Sequence, residues 1–228
     1  MLDHSREMSS DPHASTPIER AGPALESAAG GLILLHGRGA TAQSILDIYR
    51  WLNLPSLAAL APQAAGNTWY PYSFLAPIEQ NQPYLDSALA KVDACVHEAL
   101  NAGMQSEHLA LLGFSQGACL CCEYAARHPR RYGAVIAFTG GLIGPAAPHE
   151  RDYEGSFDGT PIFLGSGDPD PHVPFARVLE TQAVFERMGA IVEVRRYPGM
   201  SHTINEEELE IARAYLMRML ASPAGASA

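Results

Sequence analysis

Gly113-Phe114-Ser115-Gln116-Gly117 is the stretch on which the reading of this chain turns. It follows His108-Leu109-Ala110-Leu111-Leu112, a short apolar run of strand length, and precedes Ala118 to His128, a helix-length segment closed by Pro129. Strand, sharp turn and helix form the setting in which G-x-S-x-G lifts a serine hydroxyl clear of a sheet edge. The flanking glycines leave room for a strained turn and for close strand–helix packing.

Outward from this turn, apolar runs and helical periods alternate. Gly31-Leu32-Ile33-Leu34-Leu35-His36 reads as a strand buried on both faces. Gly37-Arg38-Gly39-Ala40 ends it, and Thr41 to Leu54 follows as a helix with Thr41 as N-cap. Ser56 to Pro62 holds a short strand. A loop rich in proline and aromatics, Gln63 to Pro83, leads to the longest helix, Tyr84 to Ala102, where Leu85, Leu89, Val92, Val96 and Leu100 keep a period of three to four. Gly103 then stands where a C′ residue belongs. Beyond the central turn, Ala134 to Phe138, Pro161 to Gly165 and Ala190 to Tyr197 read as strands. Pro174 to Met188 and Ile204 to Leu220 read as helices, the first stopped by Gly189 and the second opened by three glutamates. Such alternation predicts an α/β domain, a mainly parallel sheet with helices on both faces. The domain is expected over residues 30–221. Residues 1–29, mixed in Ser, Pro, His, Asp and Glu, are expected to form a flexible tail, and 222–228 a frayed C-terminus.

Composition narrows the function. The chain is 47% hydrophobic and 18% charged, enough apolar material for one large core. A net charge of −10 argues against nucleic acid as partner, and no basic cluster points to an anionic membrane surface. Lys91 is the only lysine, which excludes a P-loop and disfavours Schiff-base chemistry. Cys95, Cys119, Cys121 and Cys122 make neither a disulfide framework nor a metal-ligand pattern; reduced thiols suit a cytoplasmic protein. No stretch approaches the ~20 apolar residues of a membrane span, and the N-terminal stretch lacks the apolar centre of a secretory signal. The expectation is no metal, no cofactor, no integral membrane association, and a monomer or homodimer.

A serine hydroxyl is a weak nucleophile near neutral pH and needs a base held by a third group. In α/β-hydrolases the order along the chain is Ser, acid, His, each on a loop after a strand. Of the histidines after Ser115, His128 ends a helix and His149 follows no strand. His202, in Tyr197-Pro198-Gly199-Met200-Ser201-His202, lies between the last strand and the last helix, where the base belongs. Gly167-Asp168-Pro169-Asp170-Pro171-His172-Val173-Pro174 offers two acids, Asp168 and Asp170, and spacing does not choose between them. The oxyanion hole should combine the backbone N–H of Gln116 with one from His36-Gly37-Arg38-Gly39. Such donors are typically worth ~2.7–4 kcal/mol each in acyl transfer.

Leu35-His36-Gly37-Arg38-Gly39, the serine turn, the Asp-Pro-Asp-Pro-His-Val-Pro segment and Tyr197 to His202 together resemble the four signature blocks of the phospholipase/carboxylesterase family, over about Gly31 to Leu220. The resemblance implies an α/β-hydrolase fold. It also implies Asp170, immediately before Pro-x-Val-Pro, as the acid, and the N–H groups of Arg38 and Gln116 as oxyanion donors. Eukaryotic acyl-protein thioesterases of the family carry Trp-Phe-Asp in the loop before the long helix. Here the loop reads Asn67-Thr68-Trp69-Tyr70-Pro71-Tyr72-Ser73-Phe74, which is closer to the bacterial carboxylesterase branch. Trp69, Tyr70, Tyr72, Phe74 and Leu75 are expected to wall a substrate pocket at the carboxyl ends of the strands, with the Arg38 cation at its mouth. Between Phe138 and Pro161 there is space only for a short loop, so no large lid domain is expected. The function expected is a serine carboxylesterase acting on small to medium acyl esters through an acyl-enzyme. Acyl thioesterase or lysophospholipase activity is the alternative, and a non-catalytic ligand-binding protein on the same fold is the remaining one.

Overall fold

The computed structural model describes residues 11–145 and 151–222. The expected alternation of strands and helices is present, in a single seven-stranded sheet of the α/β-hydrolase type. The strands are β1 (Ile18–Ala21), β2 (Gly30–Leu35), β3 (Leu57–Pro62), β4 (Leu109–Phe114), β5 (Ala134–Phe138), β6 (Pro161–Asp168) and β7 (Ile191–Pro198); the helices are α1 (Ala42–Leu52), α2 (Tyr84–Asn101), α3 (Gln116–Arg127), α4 (Phe175–Arg187) and α5 (Glu206–Ala221). Strand order is β1-β3-β2-β4-β5-β6-β7, parallel throughout except for β1.

Every residue of β2 is buried, as its unbroken apolar run requires. Its side chains alternate between two cores. Leu32 and Leu34 face α1 and α5, whereas Ile33 and Leu35 face α2, α3 and α4. The helix ends are set locally. Thr41 accepts the Ser44 N–H and closes a capping box on α1. Gly103 and Gly189 stop α2 and α4 at φ of +93° and +83°, where a side chain would be strained.

Two expectations are corrected. Residues 11–29 are not a flexible tail: β1 pairs antiparallel with β3, from Ile18 opposite Pro62 to Ala21 opposite Ala59, and His13 is wholly buried. The physical reason is that β3 would otherwise present an open row of backbone donors and acceptors at the sheet edge. Residues 1–10 and 223–228, where the rest of the expected tails falls, lie outside the described residues. Second, β6 runs past Gly165 to Asp168, because its pairing with β7 continues to Asp168 opposite Pro198.

The connection from Phe138 to Pro161 carries no helix or strand among the described residues. It is pinned from beneath by the buried Glu123 of α3, which accepts the Ile143 N–H and hydrogen bonds from Arg151 and Tyr153. Strand order reverses between β2 and β4, since β3 lies on one side and β5 on the other. The loops after these two central strands therefore open into the crevice where sheets of this kind bind ligands.

Candidate active site

Ser115 stands between β4 and α3 with φ +55° and ψ −120°, a conformation that L-residues rarely adopt. Its backbone is held there from both sides: Ser115 N–H donates to Phe138 O at 3.0 Å, and Cys119 N–H donates to Ser115 O at 3.0 Å. The two glycines of the motif are sterically required. A Cβ on Gly117 would lie 2.1 Å from Leu35 O, and one on Gly113 2.3 Å from Gly117 O. Strain of this kind costs about 1–3 kcal/mol and persists only where packing over-determines it.

His202, on the loop after β7, places Nε2 2.8 Å from Ser115 Oγ and Nδ1 2.8 Å from Asp170 Oδ2. Because a carboxylate only accepts, Nδ1 carries the ring proton and Nε2 faces the serine hydroxyl as acceptor. Asp170 is fixed in turn: its Oδ1 accepts the N–H groups of His172 at 2.8 Å and Val173 at 2.9 Å. Burial alone would raise its pKa, but these two N–H groups and His202 outweigh it and hold the carboxyl below its usual range. The imidazole is packed between Phe114, 5.3 Å between ring centres, and the edge of His172, at 4.7 Å. Asp168, the other acid in the segment, ends β6 and pairs with Arg196. His128 stacks on Tyr124, away from the serine; His149 lies outside the described residues.

Gly37 touches the serine turn, its Cβ direction meeting Ser115 Cβ at 3.5 Å, so the loop carrying Arg38 lies beside Ser115. Gln116 opens α3, and its N–H is one of the donors a helix leaves without an internal partner. The side chains of these two residues grip the same segment. Gln116 Oε1 accepts the Trp69 N–H at 3.0 Å and Nε2 donates to Tyr70 O at 2.8 Å. The Arg38 guanidinium donates to the carbonyls of Tyr70, Pro71 and Tyr72 at 3.0, 3.0 and 2.8 Å. The cation expected at the mouth is therefore engaged by three backbone dipoles.

A cavity of about 430 Å³ opens onto Ser115 and His202. Tyr70, Tyr72 and Phe74 line it, together with Arg38, Gln116, Ser73 and Val173. Trp69 and Leu75 do not. Trp69 is wholly buried, its Nε1–H donating to His36 O at 2.8 Å, and Leu75 packs on the core. A large ring in an aromatic loop reads alike whether it fills a pocket or anchors the loop, and here tertiary packing makes Trp69 an anchor. Cys119 and His172 line the cavity and went unassigned in the sequence. The signals were there: Cys119 is one helical turn past the serine, and His172 is two residues past Asp170. Burial pushes the Cys119 thiol up to about 12, so it serves as wall rather than nucleophile. Among the described residues no cluster of metal-ligating side chains occurs, and no helix is long and apolar enough to cross a membrane.

The chain is similar to several known proteins. Residues 22–220 match the family described as Phospholipase/Carboxylesterase. The crystal structure of a phospholipase/carboxylesterase from Dyadobacter fermentans is 46% identical, covers 89% of this chain and 97% of its own, and superposes with a TM-score of 0.84. Esterase PE8 is 25% identical over 90% of this chain and 98% of its own, with a TM-score of 0.66. Acyl-protein thioesterase 1 of Saccharomyces cerevisiae is 28% identical over 60% of this chain. The match spans 60% of that curated relative's own length.

Proposed function

Since the chain belongs to the phospholipase/carboxylesterase family, which indicates a hydrolase acting on ester bonds, we propose that it is a serine carboxylesterase working through Ser115, His202 and Asp170. The observation that carries this reading is the unbroken hydrogen-bonded line from Ser115 Oγ through His202 to Asp170, with 2.8 Å at each step, at the mouth of the cavity. Ser115 Oγ attacks the ester carbonyl while His202 Nε2 takes the hydroxyl proton. The N–H groups of Arg38 and Gln116 receive the developing oxyanion. His202 then gives the proton to the departing alcohol, and the acyl-enzyme forms. A water, deprotonated by His202, attacks the acyl carbon; collapse of that second tetrahedral species releases the acid and restores the serine. Asp170 stays ionised and stabilises the imidazolium.

The cavity volume suits a small to medium acyl ester. Four free, buried cysteines support a reducing, cytoplasmic setting. Ser115→Ala is expected to lower kcat on p-nitrophenyl acetate by ~10⁴–10⁶ with the far-UV spectrum unchanged. Hydrolysis at the parental rate would sink the triad. Thioesterase activity is the second reading, favoured by the yeast thioesterase relative. A panel of oxygen and sulfur esters of rising chain length separates the two, by which series has the higher kcat/KM.

A further inference from the structure

The N-terminal segment reaches the chemistry. His13 is wholly buried, and its ring is used at both nitrogens. Ala65 N–H donates to Nδ1 at 2.9 Å, which leaves the ring proton on Nε2, and Nε2 donates to Trp69 O at 2.9 Å. The segment is tied to α2 as well. His13 N–H donates to Ser87 Oγ at 2.8 Å, and the Lys91 ammonium donates to the carbonyls of Thr16 and Ala14. Trp69 is the next link. Its N–H donates to the Gln116 side chain and its indole N–H to His36 O, immediately before the loop that carries Arg38. One residue, Trp69, thus joins His13 to both elements that carry the oxyanion donors.

A second imidazole works the same joint. Ala64 N–H donates to His36 Nε2 at 3.1 Å, so adjacent peptide N–H groups are received by two different histidines. Both rings pack on Trp69, His13 at 5.6 Å and His36 at 5.0 Å between centres.

We propose that His13 is a positioning residue for the oxyanion hole, acting through Trp69 to hold Gln116 and the His36–Gly39 loop at the distance the tetrahedral intermediate requires. The inference rests on the esterase reading above. It assigns the N-terminal segment a part in catalysis as well as in covering the sheet edge. A group that sets donor positions for a charge present only in the intermediate acts on kcat, while a group that only binds substrate acts on KM. Misplacement of about 1 Å is enough to cost up to ~10²-fold.

The test uses the full chain and p-nitrophenyl acetate. Enzyme concentration is set by the endpoint of fluorophosphonate labelling, well below the melting temperature. His13→Ala is expected to lower kcat at least about tenfold, with KM within about threefold. His13→Gln, whose amide can accept from Ala65 N–H and donate to Trp69 O, is expected to recover most of that loss. If His13→Ala lowers only the melting temperature, or moves KM and leaves kcat, the proposal is overturned. Should His13→Ala not fold, Lys91→Met loosens the same segment without touching Trp69; a kcat lowered severalfold supports the proposal, and an unchanged kcat overturns it. An inactive Ser115→Ala beside a fully active His13→Ala would sink this inference alone, whereas an active Ser115→Ala would sink the esterase reading first.

Discussion

At Ser115 the side chain proposed as nucleophile sits on a strained backbone. The φ of +55° turns the hydroxyl out of the sheet, and it is possible only because Gly113 and Gly117 let β2, β4 and α3 close to backbone contact. Gly117→Ala would press a methyl group into Leu35 O and is expected to abolish soluble, active protein; activity near the parental level would show that the turn is not over-determined. Spacing alone does not choose the acid, and the choice of Asp170 came from the family resemblance. Asp168 and Asp170 lie two residues apart on one loop, and nothing local distinguishes them. The structure distinguishes them through the length of the sheet, since pairing with β7 absorbs Asp168 into β6 and leaves Asp170 in the turn that faces His202. Asp170→Asn should lower kcat by ~10⁴, since an amide cannot hold the imidazole in the tautomer the reaction needs. Asp168→Asn should stay within a few-fold of the parent, since it loses only a surface pair with the exposed Arg196. Rates for the two variants in the reverse order would reassign the acid.

At the scale of elements, α5 starts four residues past His202 and carries an internal cost. Asn205 accepts the Glu208 N–H, and Glu208 Oε2 accepts the Asn205 N–H, a capping box that fixes the start of the helix. Yet Glu208 is wholly buried, its Oε1 without a hydrogen-bond partner, and burial pushes its carboxyl up to about 7. The sign follows from linkage. Between the unfolded value near 4.5 and the folded value near 7, the native state keeps a proton the unfolded chain has lost, so stability falls as pH rises through this window. The loss is on the order of 3 kcal/mol. Glu208→Gln keeps an acceptor for the Asn205 N–H and removes the charge. The difference in melting temperature between this variant and its parent should therefore grow in the variant's favour from pH 5 to pH 8; a difference independent of pH would refute the assignment. The three glutamates that open α5 read from the sequence as favourable partners of the helix N-terminus. That one of them turns inward was not legible, because the helical repeat alone does not show which face meets β6.

For the molecule as a whole, the two cores, the central parallel strands and the crevice at their carboxyl ends make one scaffold, on which the N-terminal segment closes the β3 edge. His13 and His36 are both driven to the neutral form by burial. His13 faces Asp11 of its own segment, Lys91 and Tyr84 of α2, and His36 from the loop after β2. Their folded values lie below the unfolded value, so the unfolded chain binds protons first and stability is lost as pH falls below about 6.5. Glu208 acts in the opposite sense. In a Glu208→Gln background, urea unfolding should show stability dropping from pH 7.5 to 5.5, with a smaller drop once His13→Gln is added; equal slopes would refute the role of His13. The amino-acid sequence by itself determined the alternation of strand and helix, the serine on its turn and the histidine before the last helix, because hydrophobic period and turn chemistry act within a few residues of where they are written. Only the tertiary structure decided that Trp69 is an anchor rather than a pocket wall and that His13 belongs to the folded core. Each of these depends on a partner far along the chain, Ser87 for His13 and Gln116 for Trp69, and such a pairing exists only once the sheet has brought the two ends together.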